Sequence, residues 1–334
     1  MARPSGVFLT RTPMRVSFAG GGTDLPEFYE HDHGVVFSTA IDQYIYVTVK
    51  SHGELFDAPI RLNYSKTEQV QTIGELENDI GRECLKFLEI EPPIYVSAVS
   101  DLPASTGLGG SSAFAVGLLN ALHAYRGERV TAGQLAEEAS HVEINLLKEP
   151  IGKQDQYASA FGGLNLFQFN PGGGVTVEPQ RMSSGFARSM FEHLLLFFTG
   201  LRRDARSVLT EQRARTPEKL DTLMEMRAHA LRLKALVAQP AFDPGDFGRI
   251  LDETWQRKRQ LASTMTSGPI DTMYQDAIAA GADGGKLCGA GGGGFLLFVV
   301  RPERQAAVRH ALRKLTEVRL HYEAHGSRLL LPNS

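Results

Sequence analysis

Residues 102–113 read LPASTGLGGSSA, three glycines and three serines within twelve positions, and the chain then turns at once into the apolar, helix-like run FAVGLLNALHAY. A helix start carries unpaired N–H groups and roughly half a positive charge. Glycines ahead of it let the backbone wrap an anion without Cβ clashes. Ser111 and Ser112 fall where a hydroxyl could cap the helix or meet a metal ion on bound phosphates. No Gly-Lys-Ser/Thr follows, so the loop is not a Walker A sequence. Nor is it a dinucleotide fingerprint, because Ser112 stands at the third glycine position. Alone, the loop also fits a flexible helix entry.

Polar residues elsewhere point to the same chemistry. Over 132–148, at roughly 100° per residue, Leu135, Ala139, Val142 and Leu146 form one stripe, and Ala136 and Leu147 widen it. Glu143 falls inside that apolar arc, whereas Glu137 and Glu138 fall outside it and read as solvated. A carboxylate on a buried face is costly unless paired or bound to a metal, and both readings stay open. In KEPIGKQDQYASAFGG (148–163), Pro150 and Gly152 break the helix ahead of Asp155. Asp155 is either a cap on the next helix or a carboxylate that orients or deprotonates a hydroxyl, with Lys153 near enough to keep it ionised. Near the N-terminus, a strand bearing Arg15 runs into Gly20, Gly21 and Gly22, then Thr23 and Asp24. Those glycines make room for a ligand, and Asp24 is suited to sugar hydroxyls, although a surface Arg and a turn Asp are the plainer readings. The stretch WQRKRQ (255–260) reads as a surface helix with Trp255 as packing.

The 334 residues suffice for two ordinary domains. A 42% hydrophobic share and a 22% charged share fit a globular protein with real cores. The formal net charge of −3 gives no global pull toward nucleic acid or membrane. Cys84 and Cys288 lie far apart and outside any metal-type spacing, which fits a reducing compartment. No signal-peptide pattern opens the sequence, and the longest apolar runs are too short to span a bilayer, so a soluble cytoplasmic protein is expected. Strands are expected at 7–18, 35–50, 94–103, 161–169, 193–200, the end of 281–300 and 318–323. Helices are expected near 112–125, 132–148, 203–214, 216–238, 245–263 and 301–315. The mixture lacks strict βαβ alternation and reads as α+β, with a domain boundary between 170 and 190.

Three separated motifs, TPMRVSFAGGGTD, LPASTGLGGSSA and KLCGAGGGGF, occur in this order over almost the whole chain. Together they resemble the GHMP small-molecule kinases, the superfamily of galactokinase, homoserine kinase, mevalonate kinase and phosphomevalonate kinase. The resemblance implies a two-domain fold, with an ATP-binding domain at 1–180 (ribosomal protein S5 domain 2-like) and a ferredoxin-like domain at 181–334. Pro103 and Gly107, Leu108, Gly109, Gly110, Ser111 and Ser112 would surround the ATP phosphates. Ser112 and Glu143 would hold Mg²⁺. Asp155 matches the family's catalytic Asp, and Arg15 an Arg beside it or beside the transferred phosphoryl group. Gly22, Thr23, Asp24, Lys153, Gly291 and Gly292 would face the substrate.

RTPMRVSFAGGGTDLPEFY (11–29) is most similar to the D-glycero-D-manno-heptose 7-phosphate kinases, and L-fucose kinase domains share related motifs. Galactokinases carry Glu-His where this chain has Gly21 and Gly22, which argues against galactose. The subfamily also implies an Arg near Arg203 for a second phosphate on the substrate. The expected activity is transfer of the ATP γ-phosphoryl group to the anomeric hydroxyl of a heptose 7-phosphate. An L-fucose or other hexose 1-kinase is the alternative within the class, and a non-catalytic ATP- and sugar-binding sensor the alternative outside it. A small-molecule sugar partner is expected, with no nucleic acid or membrane, and a homodimer is left open.

Overall fold

The structure, a computed structural model, describes residues 6–53, 55–201 and 205–330. Its strands are β1 (Val7–Ala19), β2 (Gly34–Ser51), β3 (Ile60–Asn63), β4 (Thr67–Val70), β5 (Ile94–Ser100), β6 (Leu164–Phe169), β7 (Val175–Pro179), β8 (Leu194–Phe198), β9 (Gly284–Leu287), β10 (Phe295–Val299), β11 (Thr316–Val318) and β12 (Arg328–Leu330). The helices are α1 (Pro26–Tyr29), α2 (Asp79–Phe87), α3 (Gly110–Tyr125), α4 (Ala132–Ser140), α5 (Gln154–Phe161), α6 (Ser184–Glu192), α7 (Ala205–Arg215), α8 (Leu220–Val237), α9 (Pro244–Lys258), α10 (Gly268–Ala279) and α11 (Pro302–Ala311).

Two sheets organise the chain. The larger runs β12-β1-β2-β5-β3-β4, with β6 on β2 and β7 on β6; the smaller is β11-β8-β10-β9. The 18-residue strand β2 serves two neighbours by being long. Its first part, Gly34–Thr39, pairs with β6, and its last, Ile45–Ser51, pairs with β5. All pairings are antiparallel except β3 with β5.

Helix α3 is apolar around nearly its whole circumference, as a helix enclosed on all sides must be. Ala113, Ala115, Val116, Leu118, Leu119, Ala121 and Leu122 are all fully buried. It lies against β1 and β2 on one side and α4 and α5 on the other. Gly117 lets β1 approach, since a Cβ there would stand 2.7 Å from Thr12 Oγ1. This packing points the start of α3, residues 109–112, at the groove between the two halves of the chain.

The halves are not sealed off from each other. One core cluster joins Phe18 and Phe37 to Phe247, Leu251, Cys288 and Phe295. The final strand, expected at 318–323, forms instead as two pieces: β11 extends the second sheet, and β12 returns to pair with β1. Between them Tyr322 makes a single bridge to Ile41. The expected division at 180/181 falls in the loop between β7 and α6, but β12 carries the last segment back into the first sheet.

The helix expected over 132–148 also changes form. It is α-helical to Ser140 and a π-helix from His141 to Leu146. A π-turn inside a helix is uncommon and tends to occur at functional positions; here it holds Glu143. Helix α4 starts as the sequence suggests, with Thr131 Oγ1 accepting from Gln134 N–H. Glu138, read as solvated, is instead half-buried and 2.7 Å from Nε2 of the buried His123, whose Nδ1 meets Glu128 at 2.6 Å.

Burial alone would lower the His123 pKa, but the hydrogen bonds that His123 donates to Glu138 and Glu128 outweigh it and raise the value above the ordinary 6.5. A pKa raised by folding contributes stability that is complete below the unfolded value and fades as pH rises through the folded one. Thermal melts of wild type and His123→Gln should therefore differ most below pH 6.5 and converge as pH rises past the raised folded value. A gap that widens with pH would contradict this assignment.

Candidate active site

The groove between the halves is a cleft of about 1080 Å³. Its walls come from β1 and the glycine turn after it, the 102–112 loop, the π-helix, the start of α5, α7, α9 and the 286–290 segment.

At the 102–112 loop, Gly109 sits just before α3 with φ +77°, a left-handed conformation suited to glycine. No side chain caps α3, so its first N–H groups and its positive dipole end face the cleft. A side chain at Gly109 would also crowd the residues below, since a Cβ there would lie 3.2 Å from Arg15 Cγ and 3.5 Å from Asp155 Oδ2. Gly107 is held tightly from the other half: a Cβ on Gly289 would stand 2.2 Å from Gly107 Cα. Leu108 turns its side chain into the core and accepts Arg15 N–H at its carbonyl, 3.0 Å. Pro103 and Gly110 line the cleft, and the Pro103 carbonyl accepts the Thr106 hydroxyl at 2.9 Å.

Beneath this turn lies a two-pronged ion pair. Arg15 Nε donates to Asp155 Oδ1 at 2.7 Å and Nη2 to Oδ2 at 2.6 Å, while Nη1 donates to the Gly107 carbonyl at 2.8 Å. This fork geometry fixes both planes, which a lysine could not do. One guanidinium thus ties β1, α5 and the glycine loop together. Asp155 keeps 24% of its side chain exposed, open to the cleft, against 5% for Arg15.

Glu143 is 1% exposed. Its Oε1 accepts the Ser111 hydroxyl at 2.6 Å, its Oε2 accepts Gln156 Nε2 at 2.6 Å, and the Ser112 hydroxyl is also bonded to it. Burial pushes its pKa up to about 7, with the three hydrogen bonds working against the rise. Among the described residues no cation meets this carboxylate, and no group of three His, Cys, Asp or Glu side chains gathers into a metal cage. A Mg²⁺ site needs no such cage, since one or two carboxylates plus nucleotide phosphates serve. A buried carboxylate with two serine hydroxyls at a helix start fits that ion.

Asp24 is fully buried and faces the same cleft. It accepts Gly22 N–H and Gln154 Nε2, each at 2.9 Å. Burial raises its pKa, the bonds from Gln154 and Gly22 oppose the rise, and Asp155 adds to it. Gly21 and Gly22 line the wall beside it, with Gln212 of α7 close over Gly22.

Several expected residues are occupied elsewhere. The Thr23 side chain is fully buried, 2.8 Å from the Gly20 carbonyl and 2.9 Å from the Val35 N–H, so it shapes the turn and does not face a ligand. Lys153 turns away from Asp155, because the Glu137 carboxylate (2.9 Å) and the Gly173 carbonyl (3.0 Å) take its ammonium. Glu137, exposed as the sequence suggests, also accepts the Tyr157 hydroxyl. Gly291 and Gly292 lie against Met265, with Gly292 N–H donating to the Met265 carbonyl at 2.8 Å; the cleft is met instead by Gly289 and Ala290. Arg203 lies outside the described residues. Its neighbour Arg206 lines the cleft and pairs with Glu149.

The largest departure is WQRKRQ. Trp255 is buried, as expected, but Lys258 is only 6% exposed and donates to the Gly289 carbonyl. Lys286, at 3% exposure, donates to the carbonyls of Ser17 at 2.6 Å and Phe18 at 3.0 Å. Both line the cleft. Burial pulls Lys258 down to about 8 and Lys286 to about 7. A periodicity signal did mark the first of them: Lys258 continues the buried stripe Phe247, Leu251, Thr254 and Trp255.

Comparison with known proteins agrees with this geometry. The family pattern described as GHMP kinases N terminal domain matches residues 63–163, and that described as GHMP kinases C terminal matches 233–317, together more than half of the chain. A D-glycero-alpha-D-manno-heptose 7-phosphate kinase of Campylobacter jejuni is 29% identical over 316 residues, covering 91% of this chain and 93% of that protein. An L-fucokinase/L-fucose-1-P guanylyltransferase of Bacteroides fragilis is 28% identical over 91% of this chain but only 35% of its own length. The crystal structure of a D-glycero-D-manno-heptose 1-phosphate kinase from Bacteriodes thetaiotaomicron superposes with a TM-score of 0.80 over 98% of this chain and 100% of that one; at 24% identity this likeness shows the fold. No described helix is long and apolar enough to cross a membrane. With both family halves in order around one cleft, and a glycine turn, a buried carboxylate and an Arg–Asp pair inside it, the chain belongs to the GHMP kinases and is an ATP-dependent kinase of that two-domain fold.

Proposed function

We propose that the chain phosphorylates a sugar, and that its acceptor is the anomeric hydroxyl of D-glycero-D-manno-heptose 7-phosphate. The observation that carries this reading is the Arg15–Asp155 pair, set under the start of α3 in the same cleft as Asp24, which is held by Gln154, the neighbour of Asp155. The named relative from Campylobacter jejuni, matched over nine-tenths of both chains, supports the choice of sugar.

Phosphoryl transfer asks the protein mainly for position and electrostatics. The N–H groups at 109–112 would take up phosphate charge at the helix start. Glu143 and Ser112 would hold Mg²⁺, which when bound neutralises charge on the phosphates. Asp24, kept in place by Gln154 and Gly22, would fix a sugar hydroxyl. Asp155 would hold the attacking hydroxyl, with Arg15 keeping the carboxylate aimed and offsetting charge. In the transfer, the bond from the γ-phosphorus to the β–γ bridging oxygen breaks and one from the acceptor oxygen forms. ADP leaves, and the acceptor's proton passes to Asp155 or, if Asp155 serves only to orient, to solvent.

Loss of a positioned electrostatic group costs about 10²–10³ in rate. Asp155→Asn should lose at least that much kcat while ATP affinity, read by calorimetry, stays near wild type; undiminished turnover would remove Asp155 from the reaction. For Glu143→Gln, the Mg²⁺ concentration giving half-maximal rate should rise at least about 10-fold, since even loss of a ligand's supporting partner typically costs that much. An unchanged Mg²⁺ requirement would place the ion elsewhere. An ATP-consumption assay over heptose 7-phosphate, free heptose, L-fucose and galactose should favour the first by kcat/KM. Turnover confined to unphosphorylated sugars would refute the proposed acceptor.

A further inference from the structure

Two lysines that line the cleft have no part in the reaction as described so far. Lys258 comes from the end of α9 and Lys286 from β9, both in the second half of the chain. Each is more than nine-tenths buried. Among the described residues neither has a carboxylate within ion-pair distance; their ammonium groups rest on the carbonyls of Gly289, Ser17 and Phe18. An ammonium donates three hydrogen bonds, so each has donor capacity left over. The nearby carboxylates are already engaged: Asp155 by Arg15, and Asp24 by Gln154 and Gly22. Two buried cations side by side, without counter-charge, are expensive to keep. The Lys258 charge also lowers the proton affinity of Lys286.

We propose that Lys258 and Lys286 form an anion seat that receives the phosphate the acceptor already carries. The placement favours the acceptor over the nucleotide. Lys286 sits on the Ser17 and Phe18 carbonyls of β1, between Arg15 and the turn that bears Asp24. The nucleotide phosphates have their own seat at the start of α3, beside Glu143, on the first half of the chain. A neutral sugar needs carboxylates and amides for its hydroxyls; it gives no reason to bury two ammonium groups. The hydroxyl of Ser17, which lines the same cleft, is buried without a hydrogen-bond partner among the described residues. This assignment rests on the acceptor being a sugar phosphate, as proposed above, and it moves the task of recognising that phosphate from Arg203 to the two lysines.

The test uses sulfate, whose charge does not change between pH 6 and 9, titrated calorimetrically into the full chain with ADP and Mg²⁺ saturating. Wild type should bind sulfate, and Lys258→Met and Lys286→Met should each weaken that affinity at least tenfold without changing ADP affinity. Equal sulfate affinity in the variants, or a loss of ADP affinity in its place, would overturn the seat.

Wild type provides a second reading independent of variant folding. The groups facing the lysines are Arg15 of β1, Asp24, Asp155 of α5 and Cys288. Sulfate affinity should fall as pH rises from 6 to 9 and the ammonium groups lose their protons; a flat profile would overturn the proposal. Kinetics separate this inference from the acceptor assignment. With heptose 7-phosphate the lysine variants should raise KM for the sugar at least tenfold and leave KM for ATP within about twofold. If sulfate binds through the lysines but heptose 7-phosphate is not turned over, the named acceptor fails and the anion seat stands.

Discussion

The cleft is organised around one guanidinium. Arg15 leaves the middle of β1, grips both oxygens of Asp155 at the start of α5, and reaches the Gly107 carbonyl with its remaining arm. Its backbone N–H is spent on Leu108 of the same loop. Strand, helix and loop are thereby set relative to one another within hydrogen-bond tolerance. A Cβ on Gly109 would stand 3.2 Å from Arg15 Cγ, so glycine lets the loop lie this close without displacing the arginine stem. Sheet, glycine turn and the Asp155 carboxylate are thus a single constraint. The bidentate bond also leaves Asp155 partly exposed on the cleft side, where a hydroxyl would approach.

Around that pair the buried charges are arranged so that ligands complete them. Among the described residues, Glu143 is buried with hydroxyl and amide partners but no cation, and Lys258 and Lys286 are buried with carbonyls but no anion. Burial drives all three toward neutrality, Glu143 upward and the lysines downward. Each would regain full charge beside a counter-ion, so a cation at Glu143 and an anion at the lysines would be favoured together. The carboxylate belongs to the first half of the chain and the lysines to the second, which makes the cleft a place where the halves meet over charge as well as over apolar packing.

Much of this was legible from the residues alone. The glycine-serine loop announced a helix start stripped of side chains, and α3 begins at Gly110. The apolar arc singled out Glu143 because a carboxylate among Leu135, Ala139 and Val142 needs a reason, and the carboxylate is indeed buried beside the loop serines. The π-turn that carries it was not legible, since a fixed 100° step cannot register one extra residue in a turn. Lys153 misled because nearness in sequence to Asp155 says nothing about direction: as the residue before α5 it points back to Glu137 of α4. Thr23 misled similarly, its hydroxyl serving the backbone of its own turn.

The two lysines show where pattern reading stops short. Lys258 lies on the buried stripe of α9, so the arc argument that found Glu143 applied to it equally; the flanking Arg257 and Arg259 made the segment look like a solvated surface. Lys286 offered less, because Gly284, Gly285, Lys286 and Leu287 are all buried and a strand covered on both faces loses the alternation that sorts inside from outside. What marks both residues is the cost of their position. A buried ammonium resting on carbonyls is retained against a standing desolvation penalty, and here two such groups line the same cleft as Arg15, Asp24 and Asp155. A penalty of that kind, repeated in one place by two separate elements of the second half, is better explained by a charged ligand than by packing, for which Met or Leu would serve at lower cost.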